Sequence, residues 1–123
     1  MSGHYTITPK SDYIHVTAEG TGTFALAQQM WHEIAQVCTQ QRCYKILGEQ
    51  KLDTPISFED AFHHFEIFAN AGINSRHQIA WVDNNYASRK VAAFIGNVVS
   101  SRLFVRGKVF SEVQEAVTWL RTI

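Results

Sequence analysis

Apolar positions alternate with polar ones at the start of the chain: Tyr5 and Ile7, then Ile14, Val16 and Ala18. A period of two marks half-buried strands. The turn-forming run Pro9-Lys-Ser-Asp12 lies between them, so the chain opens with a hairpin. Gly20 and Gly22 end the second strand, and the period then changes. From Phe24 to Gln41 the apolar positions recur as Ala27, Met30, Trp31, Ile34 and Cys38, one face of a helix that Thr23 is placed to cap. Tyr44–Gly48 predicts a short central strand, and Glu49–Ile56 a loop. Ser57 then starts a second helix, with Asp60 at the reciprocal position of a capping box. Its apolar face is Phe58, Ala61, Phe62, Phe65, Phe68 and Ala69, and Gly72 fits the left-handed position past its end. His77–Val82 is apolar without alternation, as in a strand covered on both faces. Asp83–Asn85 offers caps for a third helix with a Val91, Phe94, Ile95 and Val98 stripe. Leu103–Val105 predicts the last strand. Ser111, three residues ahead of Gln114, predicts the cap of a final helix with Val113, Ala116, Val117 and Leu120 on one side.

The resulting order is β-β-α-β-α-β-α-β-α in a single α/β domain, residues 1–123. Strands alternating with helices pair in parallel through right-handed crossovers, and the hairpin adds an antiparallel pair. A mixed five-stranded sheet flanked by four helices follows, with Ile46, Ile79, Trp81 and Val105 buried. In open sheets of this kind ligands favour the carboxyl ends of the strands. That directs attention to Glu49–Ser57, Asp83–Tyr86 and Arg106–Phe110.

Composition alters this picture little. The formal net charge is zero, which argues against nucleic acid or a polybasic membrane contact. The charges are nevertheless uneven: residues 1–66 hold eight acids and four bases, residues 67–123 three acids and seven bases. Dispersed solvated charges are the plain interpretation, and an anion-attracting patch in the second half the sharper one. Cys38 and Cys43 form neither a Cys-x-x-Cys nor a zinc pattern and are expected as small core residues. The N-terminus has no signal-peptide pattern, and no apolar run approaches the ~20 residues that span a bilayer. The expectation is a cytoplasmic protein that is not integral to a membrane.

Three segments carry a family resemblance: Gln78-Ile-Ala-Trp-Val-Asp83, Arg102-Leu-Phe-Val-Arg106, and Phe110-Ser-Glu-Val-Gln-Glu-Ala-Val-Thr-Trp-Leu120. With the order of elements, they make the chain resemble the STAS-like family of small α/β proteins related to the SpoIIAA-like anti-sigma-factor antagonists, in the STAS/SEC14 group. These are mostly packing positions, so the resemblance implies a fold before a function. In the antagonists, phosphorylation of a serine in an Asp-Ser-Ser/Thr-Gly turn at the start of the second helix blocks a kinase partner. The resemblance puts Ser57 in that role. Here Phe58 stands where the family keeps a small residue, and Asp53 lies further back than the pattern has it.

Other candidate chemistry is sparse. Asn85, Ser88, Arg89 and Lys90 open the third helix, where free backbone N–H groups favour an anion. His63 and His64, with Asp60 and Glu66, read as an exposed polar helix face rather than a metal site, since His-Glu-x-x-His is absent. Three tryptophans and eight phenylalanines fall mostly on core stripes, and the remainder suit an apolar cavity between sheet and helices. No nucleophile elbow, paired carboxylates or Cys/His dyad is evident. The preferred expectation is a non-catalytic regulatory or adaptor domain that binds an unidentified protein, without cofactor or metal, and self-associates if Trp119 and Leu120 stay partly exposed. The alternative is a carrier of a small molecule or lipid, with an apolar pocket and an anion site at the start of the third helix.

Overall fold

A computed structural model describes residues 3–54 and 58–122. Strands β1 (His4–Pro9) and β2 (Ile14–Thr21) form the hairpin, antiparallel with Tyr5 opposite Ala18 and Ile7 opposite Val16. Then come α1 (Phe24–Gln41), β3 (Lys45–Thr54), α2 (Phe58–Phe62), α3 (His64–Ala71), β4 (Gln78–Val82), α4 (Tyr86–Leu103), β5 (Arg106–Phe110) and α5 (Val113–Leu120). The five strands lie in sequence order, β1-β2-β3-β4-β5, and β2 to β5 are mutually parallel. The mixed five-stranded α/β sheet is as expected. Thr23 caps α1, its hydroxyl accepting from Leu26 N–H at 3.1 Å.

Sequential strand order combined with right-handed crossovers dictates where the helices go. Every β-α-β step moves the same way across the sheet, so α1, α3 and α4 share one face. Among the described helices, α5 alone packs on the other. The two cores reflect this. Ile14, Val16, Ala18, Ile46, Ile79 and Val105 join Met30, Trp31, Ile34 and Phe68 on the first face. Leu47, Ala80, Val82 and Phe110 meet Ala116 and Leu120 on the second. Beyond the reach of α5, that second face is polar: His15 and Glu49 pair there at 2.5 Å, and Thr6 and Thr8 are exposed.

Several elements differ from expectation. β3 continues through Glu49–Thr54, predicted as loop, because β2 runs on beyond Gly20 and pairs with it. Gly20 takes a positive φ of 84°, and the register shifts between Gly20 and Thr21. The second helix breaks at His63 into α2 and α3. The predicted strand Leu103–Val105 is instead the end of α4, Phe104 in a left-handed conformation (φ 59°), and one buried valine; β5 follows as Arg106–Phe110. The last helix is capped at Glu112, with no side-chain hydrogen bond, so Ser111 is not its cap and Val113 is exposed. Ile46, Ile79 and Val105 are buried as expected, while Trp81 is only half-buried. Ser57 lies outside the described residues.

Candidate functional site: an apolar cavity beneath α3

Three helices crowd one face. Adjacent strands lie about 4.8 Å apart, whereas packed helices need about 8–10 Å between axes. Successive crossovers across β2–β5 cannot all lie flat on the sheet. The middle one is displaced: α3 packs on α1 and α4 rather than on the strands. Beneath it a partly open cavity of about 340 Å³ remains. β3, β4 and β5 form its floor, α1 and α4 its walls, and α3 its roof.

The lining is apolar, with Leu26, Met30, Trp31, Leu52, Phe68 and Trp81 prominent. Trp81 shapes the floor. A Cβ at Gly48 would meet the Trp81 ring at 2.2 Å, so the ring lies directly over a residue without a side chain. Its Nε1 donates to Gln50 Oε1 at 2.8 Å, and Trp31 packs alongside at 5.6 Å between centroids. Gln50 Nε2 in turn donates to Asp83 Oδ2 at 3.2 Å. The polar groups of the floor are thereby bonded to one another.

His64 sits in the roof, 2% exposed. The sequence placed it on a polar outer face with His63. The break at His63 changes the helical phase, and His64 joins Ile67 and Phe68 on the buried side of α3. The signal was present in the spacing of Ala61, His64, Phe68 and Ala71 at three and four residues. His63 is exposed and pairs with Glu66 at 3.2 Å. Among the described residues no group of three or more His, Cys, Asp or Glu is placed to hold a metal.

The four expected anion-binding residues stand together at the start of α4 but do not line the cavity. Their polar groups serve the helix end. Asn85 Oδ1 accepts from Ser88 N–H at 3.0 Å, and the Ser88 hydroxyl donates to the Asn85 carbonyl at 3.5 Å. Arg89 Nη1 donates to the Asp83 carbonyl at 3.2 Å. Buried Asp83 accepts from Asn85 N–H at 3.0 Å, so a carboxyl group of the chain itself occupies the positive end of the helix. Arg89 and Lys90 both lie over the Tyr86 ring, at 5.7 and 4.7 Å. The other bases of the second half are spread out as well: Arg121 pairs with Asp12, Arg76 covers Tyr44, and Arg102 covers Phe65.

Cys38 and Cys43 are free. Burial pushes the Cys38 thiol up to about 12, which keeps it protonated and unreactive.

Two buried histidines set a pH dependence. Burial lowers the pKa of both His64 and His77. His77 Nδ1 accepts from Asn74 N–H at 3.1 Å, a bond that requires an unprotonated Nδ1. The unfolded chain takes up these protons near an imidazole pKa of about 6.5, and the folded chain resists them. Stability is therefore complete above that value and falls as the pH drops below it. The thermal midpoint should decrease between about pH 7 and about pH 5. His77→Gln, which keeps an acceptor but cannot titrate, should flatten that decrease; an unchanged slope would contradict the assignment.

The fold is SpoIIAA-like. The anti-sigma factor antagonist SpoIIAA in its unphosphorylated form superposes with a TM-score of 0.59 at 12% identity, over 98% of both chains. An uncharacterized protein of the DUF3478 family with a SpoIIAA-like fold, from Shewanella loihica, gives 0.57 at 17% identity over 96% of this chain and 93% of that one. No protein-family model matches the sequence, and no curated protein matches it. Among the described residues no helix is long and apolar enough to cross a membrane.

Proposed function

We propose that this domain is a non-catalytic binding protein for a small apolar molecule, held in the cavity beneath α3. One observation carries the reading: the cavity has the size and apolar lining of a small-molecule site, for which about 300–1,000 Å³ is usual, and it is left by the packing rather than by a missing side chain. Gln50 in its floor is bonded to Trp81 and Asp83, and among the described residues no nucleophile and base are brought together on its walls. The anion site at α4 is not part of this reading, because Asn85, Ser88, Arg89 and Lys90 lie away from the cavity.

The test fills the space. Gly96 lies on the α4 wall, and a Cβ there meets nothing within 4 Å. Gly96→Leu should therefore fold normally, judged by circular dichroism, while lowering the affinity for an apolar fluorophore such as N-phenyl-naphthylamine by at least tenfold. Undiminished binding would refute the cavity as the site.

The regulatory reading, a protein partner or a second copy, keeps one specific observation in its favour. Tyr86 is 66% exposed at the carboxyl end of the sheet and flanked by two cations, a composition common at interface hot spots. In the same experiment, a wild-type protein that binds no fluorophore but self-associates by light scattering, and loses that association in Tyr86→Ala, would support this reading over the first.

A further inference from the structure

We propose that the cavity selects a neutral ligand with a hydrocarbon body and one hydroxyl group, and that the hydroxyl donates its hydrogen bond to His64 Nε2. The proposal rests on the cavity being a ligand site, and it names the chemistry that site accepts.

The tautomer of His64 is fixed by its own helix. Its Nδ1 lies 3.0 Å from the backbone carbonyl of Asp60. A carbonyl oxygen only accepts, so Nδ1 carries the proton and Nε2 carries the lone pair. Phe24 meets the ring edge to face at 6.1 Å between centroids and limits its reorientation. The roof of an apolar cavity thus presents an acceptor. Burial, which lowers the imidazole pKa, keeps that acceptor available at neutral pH.

The remaining polar groups around the cavity offer little competition. Gln50 is bonded through both its oxygen and its nitrogen, and the Thr23 hydroxyl caps α1. Asn97 also borders the cavity, but it is exposed to solvent.

Charge excludes the obvious rival, a fatty carboxylate or a phosphorylated lipid. Lys108 borders the cavity, but its ammonium lies 5.5 Å from the Phe110 ring centroid. Phe110 belongs to the core on the opposite face of the sheet. Arg89 and Lys90 are engaged with Tyr86, away from the lining. An anion entering the cavity would lose hydration without meeting a counter-charge, whereas an alcohol carries no charge and its O–H donor is paired again at Nε2.

The experiment compares three ligands of equal chain length, titrated against tryptophan fluorescence in a Trp119→Phe background, which leaves Trp31 and Trp81 at the cavity: n-octanol, its isomer methyl heptyl ether, and octanoate at neutral pH. The ether has the oxygen but no donor. Octanol should bind about three- to tenfold tighter than the ether, the net worth of one hydrogen bond, and octanoate should bind most weakly. His64→Phe should abolish the preference for octanol over the ether. His64→Gln, whose amide can accept from the alcohol but also donate to the ether oxygen, should bind both and narrow the preference without reversing it. Equal binding of alcohol and ether by the wild type, tightest binding of octanoate, or a preference that survives in His64→Phe would overturn the proposal while leaving the cavity a ligand site. Failure of all three to bind the wild type would overturn the ligand site and this proposal with it. Should His64→Phe fail to fold, the wild-type comparison and His64→Gln still decide.

Discussion

Gly48→Ala should destabilise the protein by about 1–3 kcal/mol, the usual cost of overpacking a filled site, and should rearrange the cavity floor. The added methyl would sit 2.2 Å from two carbons of the Trp81 ring. Such a clash is cheap when a flexible side-chain end can move aside, but Trp81 has little freedom. Its Nε1 is tied to Gln50, its ring packs against Trp31, and it stands on β4, hydrogen-bonded on both sides. Relief requires the indole to rise into the cavity or β3 to part from β4. The first course breaks the Trp81–Gln50 bond and loosens Gln50 from Asp83. It also occupies the space that a ligand would fill. Urea unfolding should therefore show a lower midpoint, the tryptophan emission should shift, and affinity for an apolar fluorophore should drop. An unchanged midpoint with unchanged emission would show that Trp81 does not lie on Gly48.

The sequence could not reveal this contact, because Gly48 reads simply as the end of a short strand. The pairing partner of that strand, and the strand's true length, depend on β2 continuing past Gly20. Local pattern was most reliable where one long stripe and one cap agreed, as in α1, whose limits Phe24 and Gln41 were legible from Thr23 and the Ala27–Cys38 stripe. It misled at the sheet edge. β5 exposes Arg106 and Lys108 and has no apolar partner on its outer side, so it lacks the pattern of a buried strand. Leu103 instead completes the Val99, Leu103 row of α4 at a spacing of four. The cavity was legible only as surplus aromatic residues. Its cause is the monotonic strand order, which crowds three crossover helices onto one face and lifts α3, and strand order is a long-range property. His64 was missed because the aromatic positions Phe62 and Phe65 draw the apolar stripe away from the Ala61, His64, Phe68 row that is buried.

The opposite face of the sheet is held differently, and there the expected effect is larger. Leu120→Ala should cost about 2–5 kcal/mol, the range for a leucine truncated in a close-packed site. Helix α5 has eight residues and no side-chain cap, too short to be stable on its own. It stays in place because Ala116 and Leu120, both fully buried, insert among Leu47, Ala80, Val82 and Phe110. Trp119 adds a ring contact with Phe110 at 5.7 Å. The neighbouring ion pair, Arg121 Nε to Asp12 Oδ2 at 2.7 Å, has good geometry but is largely exposed, and solvent screens pairs of that kind so that they add little to stability. Arg121→Ala should thus be nearly silent beside Leu120→Ala, although the two residues are adjacent. Equilibrium urea unfolding of both variants measures the contrast, and amide exchange locates it: α5 should exchange faster in Leu120→Ala. Fluorophore binding at 25 °C under native conditions should survive, since the cavity lies across the sheet from α5. A loss below about 1 kcal/mol for Leu120→Ala, or one matched by Arg121→Ala, would mean that burial against β3, β4 and β5 is not what anchors the last helix.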